Sequence, residues 1–151
     1  MKRFVFSLQS VLNLRRHKEL MAQQAVGKAV LDLQVCEQQI DDLTTEKDQT
    51  RDRLEKKVAD GLTASLFNQY STYITTLSYR IHQASLQREQ LSKVLVEKRQ
   101  ILKQKSIEKK AMERLREKQK QAYAKEALLE EQKELDEISS LKSAREILNA
   151  S

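Results

Sequence analysis

The chain has 151 residues, 28 of them Lys or Arg and 22 Asp or Glu, for a formal net charge of +6. Proline and tryptophan are absent, glycine occurs twice, and aromatic residues make up 5%. This excludes the thick apolar core of an ordinary two-layer domain. It suits very long helices, because the strongest helix breakers are nearly missing and the abundant Gln, Lys, Glu, Leu, Arg and Ala are good helix formers.

The first residues combine a basic tip, Lys2 and Arg3, with Phe4, Val5, Phe6 and Leu8. Arg15, Arg16, His17, Lys18 and Glu19 follow without a long apolar run or a small-residue cleavage site, so no signal peptide is expected. The short amphipathic start suits either a membrane surface or packing at the end of a helical bundle. No stretch nears the roughly 18 apolar residues of a spanning helix.

A first helix is predicted over about residues 5–58. Glu19, Val26, Leu33, Ile40, Lys47 and Leu54 recur every seven residues, with Ala22, Ala29, Cys36, Leu43 and Thr50 three positions further on. These are the two columns of a coiled-coil seam, interrupted by the ionic Glu19 and Lys47. Cys36 reads as a small buried thiol in a reducing compartment, which points to the cytoplasm.

The one clear break lies at 59–63, where Asp60-Gly61 is a turn dipeptide. Gly61 can take the left-handed cap of the first helix, and Thr63 or Ser65 can cap the second. A second helix is predicted over about 64–148. Its seam runs through Tyr70, Leu77, Ala84, Leu91 and Lys98, joined by Ile74, Ile81, Arg88, Leu95 and Leu102. Two stripes joined by a short turn fold back on each other. The expected fold is all-α: a single antiparallel two-helix coiled-coil hairpin with the second helix longer.

At 1.5 Å per residue the first helix would be about 80 Å long and the second nearly 130 Å. Residue 5 then falls opposite roughly residue 117, leaving about 118–151 partly unpaired. Leu128, Leu129, Leu135, Ile138, Leu141, Ile147 and Leu148 lie in that excess, a stripe that either frays or binds something.

Charge is uneven. Residues 98–121 hold ten Lys or Arg against three acidic residues, and 126–137 hold six acidic residues against Lys133. Folding back sets the basic N-terminal part beside 98–117, an arrangement relieved by an acidic partner. Nucleic acid is not expected, since zinc-finger spacing, a basic zipper region and clustered aromatics for stacking are missing.

Nor is catalysis. His17 and His82 are far apart in sequence, no Cys/His metal spacing, phosphate loop or nucleophile elbow occurs, and a two-helix hairpin encloses no substrate cavity. We expect no catalytic residue, no cofactor and no metal.

The N-terminal run Phe4, Phe6, Leu8, Val11-Leu12 and Leu14-Arg15, followed by Glu19, resembles the start of the flagellar export protein FliJ family. So does a C-terminal series of Leu115-Arg116, Gln121, Tyr123, Glu126, Glu131-Gln132-Lys133 and Leu135-Asp136-Glu137. The likeness includes the chain length and the central turn. It implies a stalk and adaptor that inserts the end of the hairpin into the hexameric flagellar export ATPase, promotes ring assembly and contacts the membrane export-gate protein. It also implies escort of export chaperones and a cytoplasmic place, peripheral to the membrane at the flagellar base.

By the same resemblance, the ATPase-facing surface comprises Arg15, Arg16 and Glu19 with Arg114, Arg116, Tyr123 and Glu126, and more weakly Gln132, Asp136 and Glu137. The gate-facing patch is Tyr73, Leu77, Arg80 and Ala84. Here the chain departs from the family pattern: Arg80 stands where a small residue is expected, and Ala84 replaces a polar ring. Competing readings are the equivalent stalk of a virulence secretion system and a structural coiled coil that self-associates through the C-terminal stripe. A nucleic-acid-binding helical protein ranks last.

Overall fold

The computed structural model describes residues 2–150 and is all-α. Helix α1 spans Gln9–Asp60 (52 residues) and helix α2 spans Ala64–Ala150 (87 residues). Glu46 of α1 meets Tyr73 of α2, and the earlier Cys36 meets the later Ala84, so the helices pair antiparallel as a hairpin.

The turn follows from its residues. Gly61 has φ +97°, and its N–H donates to the carbonyl of Val58 at 3.3 Å. Thr63 Oγ1 accepts from the N–H of Leu66 at 3.3 Å, giving an otherwise unpaired amide of the first turn of α2 a partner. A Cβ on Gly61 would meet nothing within 4 Å, so a substitution there is opposed by backbone conformation alone. Gly61→Ala is expected to lower stability by about 1 kcal/mol, seen as a fall in the urea midpoint with unchanged slope.

Two compact units form along the helices. Leu20–Gln104 makes one of them. Its seam buries Ala22, Ala29, Cys36 and Thr50 on α1 and Leu77, Ala84 and Leu95 on α2. Val26, Leu33, Ile40, Lys47 and Leu54 are half-buried beside them, as are Tyr70, Ile74, Ile81, Leu91, Lys98 and Leu102. Every predicted column position is thus at least partly covered except Arg88, which is exposed. A guanidinium without a buried partner is held in water by its hydration.

The buried α1 positions are mostly small, so the backbones approach closely. The Cys36 thiol donates to the carbonyl of Ala84 at 3.3 Å, a helix-to-helix contact that a larger pair of side chains would block. Thr50 is also buried without penalty, because its hydroxyl donates to the carbonyl of Glu46 at 2.7 Å.

The other unit joins the chain through Glu19 to the segment from Lys105 onward. Phe6, Leu12 and Met112 form its core, with Phe4 and Val11 packed against them. Residues 2–6 have no regular secondary structure, and α1 begins only at Gln9. Extended chain advances about 3.3 Å per residue against 1.5 Å in a helix. The N-terminal residues therefore reach further along α2 than helical arithmetic allows, and Phe4 meets Tyr123 with ring centroids 5.6 Å apart. Beyond that contact the large apolar side chains are open: Leu128, Leu135, Ile138 and Leu141 are 59–66% exposed. Among the described residues, no helix is long and apolar enough to cross a membrane.

Candidate protein-binding surfaces

The first candidate surface lies wholly within the unit built around Leu12 and Met112. Here α1 supplies Arg15, Arg16 and Glu19, and α2 supplies Arg114, Arg116, Tyr123 and Glu126. The structure brings these residues to one region but gives them different work.

Arg15 is half-buried, and its Nη1 donates to the main-chain carbonyl of Glu108 at 2.9 Å. Arg116 Nε donates to Gln9 Oε1 at 3.2 Å. Tyr123 is half-buried against Phe4. Glu19 accepts from Lys109 Nζ at 2.9 Å, and its side chain is only 12% exposed. Arg15, Arg116 and Glu19 tie α1 to α2, and Tyr123 holds the N-terminal segment against α2.

Arg16, Arg114 and Glu126 instead face solvent, as do Gln132, Asp136 and Glu137. Arg16 makes a loose 3.6 Å ion pair with Glu113, with both side chains well exposed. Such a pair is worth little and is easily exchanged for a partner's carboxylate.

Hydrogen bonds from Lys109 and then Ser106 hold the Glu19 carboxyl below its ordinary value of 4.5, with the charges of Lys109 and Lys110 adding to the effect against partial desolvation. Because the folded value is the lower one, this stabilisation is complete above the unfolded value and is lost as pH falls through the folded one. Glu19→Gln is therefore expected to lower the urea midpoint at neutral pH. The gap to the native protein should narrow as pH falls below the ordinary carboxylate range, because protonation then removes the advantage of the charged form.

The second candidate patch lies in the Leu20–Gln104 unit. Leu77 is 1% exposed and Ala84 6%, both within the seam. Tyr73 and Arg80 face outward. The Tyr73 hydroxyl donates to Glu46 Oε1 at 3.2 Å. Its phenol is shifted upward, first by partial desolvation and then by the hydrogen bond and charge of Glu46. Arg80 lines an open groove with Gln39, Leu43, Tyr79 and Gln87. What this patch offers a partner is an aromatic edge, a guanidinium and several amides on a stiff helical support.

Lys109 and Met112 complete the first region but were not singled out in the sequence, and Phe4 was read there only as part of the amphipathic start and of the family likeness. The signal was present: continuing the α2 columns by sevens leads from Lys98 to Lys105 and Met112, and from Leu102 to Lys109, Arg116 and Tyr123. Polar residues at those steps hide the seam from an apolar count, although long side chains serve there by laying their stems along it. His17 and His82 are both exposed. Among the described residues, no group of three or more His, Cys, Asp or Glu is placed to hold a metal.

No solved structure matches the chain. It is 25% identical over 140 residues to the flagellar FliJ protein of Bacillus subtilis (strain 168), covering 90% of this chain and 92% of that one. The family model for the flagellar FliJ protein matches residues 4–147, a span that takes in both helices, the turn between them and both candidate surfaces. The chain therefore belongs to the flagellar FliJ protein family.

Proposed function

We propose that this protein is a noncatalytic stalk and adaptor of the bacterial flagellar export apparatus. It binds the hexameric export ATPase, promotes assembly of the ring and couples it to the membrane export-gate protein. The observation that carries this reading is the family match over residues 4–147, which includes both ends of each helix apart from a few terminal residues. Binding without chemistry is sufficient: a ligand that prefers the assembled ring shifts the assembly equilibrium by mass action.

Within this reading, Arg16, Arg114 and Glu126 are the residues that meet the ATPase. Arg15, Glu19, Arg116 and Tyr123 hold the helices in the geometry that presents them. Gln132, Asp136 and Glu137 extend the contact along α2. Tyr73 and Arg80 meet the export gate, with Leu77 and Ala84 fixing the helix beneath them. One surface in each of the two compact units allows engagement of two partners, which raises avidity without further contacts. Escort of export chaperones and a cytoplasmic, membrane-peripheral place at the flagellar base complete the reading.

A titration of the purified protein against the cognate export ATPase, following ring formation and ATP turnover together, tests it. Saturable stimulation is expected, and Arg16→Gln with Arg114→Gln should weaken it about tenfold without changing the thermal midpoint. Absence of both binding and stimulation would sink the assignment.

A further inference from the structure

The outer part of α2 has an internal symmetry that the proposed function does not use. Ile138, Leu141, Lys142 and Arg145 line one open groove along the helix, so they share a face. In heptad terms that face consists of three adjacent columns: Leu128, Leu135 and Lys142; Glu131, Ile138 and Arg145; and Glu134, Leu141 and Leu148. All are exposed.

Taken about Ile138, the face is palindromic in chemistry. Ten residues to either side stand Leu128 and Leu148, and three to either side stand Leu135 and Leu141. Seven to either side stand Glu131 and Arg145, and four to either side Glu134 and Lys142. Leucine mirrors leucine, and each acid mirrors a base.

This is the pattern a two-fold interface demands, since residue i must then meet residue j and residue j meet residue i. The geometry points to a second copy of this chain as the occupant of the face. The two α2 ends lie antiparallel across a two-fold axis at Ile138. Ile138 meets Ile138, leucine meets leucine on either side, and Glu131–Arg145 and Glu134–Lys142 pairs form twice each.

The alternatives within self-association are disfavoured by the same residues. Parallel pairing sets Glu131 on Glu131 and Lys142 on Lys142. Sliding the antiparallel register by seven residues in either direction sets Glu131 or Arg145 against Ile138. An unrelated partner would require none of this mirror symmetry. The contact covers 21 residues of helix, about 30 Å, which places it among small and reversible interfaces. The dimer therefore forms at high protein concentration and opens when another partner takes the face.

Sedimentation equilibrium of the full chain over a wide concentration range tests this, with no ATPase present, so the outcome is independent of the export reading. The apparent mass is expected to rise from 17.6 kDa towards twice that value. Ile138→Glu should weaken dimerisation at least about tenfold, by placing two carboxylates on the axis. Glu131→Arg and Arg145→Glu should each weaken it about tenfold, and an equal mixture of those two variants should recover native-like association, because each then supplies the charges the other lacks. Far-UV circular dichroism of all three should match the native chain. A constant monomer mass over the whole range overturns the proposal and leaves the face to a different protein. So does a dimer indifferent to Ile138→Glu, or a charge-swapped mixture that associates no better than its components.

Discussion

Leu12→Ala is expected to destabilise the unit that contains Phe6 and Met112 by about 3 kcal/mol. Leu12 is fully buried, and Phe6 at 5% exposure and Met112 at 8% are the buried residues it packs with. Truncation removes three carbons from the centre of a cluster that has few other members. In a thick core neighbours relax into the space, but here the neighbours are a non-helical segment on one side and a single helix on the other. The loss should therefore appear as local opening. Hydrogen exchange should quicken for the amides of residues 9–19 and 105–123, while residues 20–104 change much less. The same variant should stimulate the export ATPase poorly although Arg16 and Arg114 remain in place. The Arg16 and Arg114 substitutions should do the reverse, leaving exchange unchanged and lowering stimulation. Unchanged exchange in Leu12→Ala would mean that the N-terminal segment is held by its polar ties alone.

How much of this fold was legible depended on how apolar each stretch of seam is. From Ala22 to Leu54 the columns are carried by Val, Leu, Ile, Ala, Cys and Thr, with Lys47 the one ionic step, and the periodicity alone places them. Towards both chain ends the seam turns polar. Glu19 meets Lys109, Arg116 meets Gln9 and Arg15 meets a main-chain carbonyl. Such pairs are visible only when the two helices are set side by side, because the partner lies about 90 or more residues away in sequence. The reach of Phe4 to Tyr123 was not legible for a different reason. It depends on where the chain ceases to be helical, and Phe4 to Leu8 carry no proline or glycine to mark that point.

The candidate surfaces were legible as regions and less so as contacts. Resemblance to a family places residues on a chain without saying which way they face. Arg15 and Arg16 are neighbours in sequence, yet about 100° apart around a helix, so one clasps α2 and the other faces solvent. The spacing of Tyr73, Leu77, Arg80 and Ala84 puts four residues on one broad side of α2. Because the seam takes the inner edge of that side, only Tyr73 and Arg80 are left outside.

That division yields the second large effect. Ala84→Leu is expected to cost about 3 kcal/mol, whereas Arg80→Ala at the same patch should stay within about 0.5 kcal/mol. Ala84 is buried, and its own carbonyl accepts from Cys36 Sγ at 3.3 Å, so α1 lies directly over this turn of α2. A leucine side chain is expected to be crowded by α1 beside that contact. It must either separate the helices or be expelled, and separation also removes cover from Leu77, which is 1% exposed one heptad earlier. Urea unfolding followed by circular dichroism measures both variants. A companion change, Cys36→Ala with Ala84→Leu, should recover part of the loss if the sulfur is what obstructs the larger chain. For the proposed gate contact the consequences are opposite in kind. Ala84→Leu should weaken gate binding together with stability. Arg80→Ala should weaken gate binding with the unfolding midpoint nearly unchanged, and Tyr73→Ala should weaken it with only the small loss of stability that goes with its hydrogen bond to Glu46. If Ala84→Leu is neutral, the small residues of the seam are not what sets the distance between the helices.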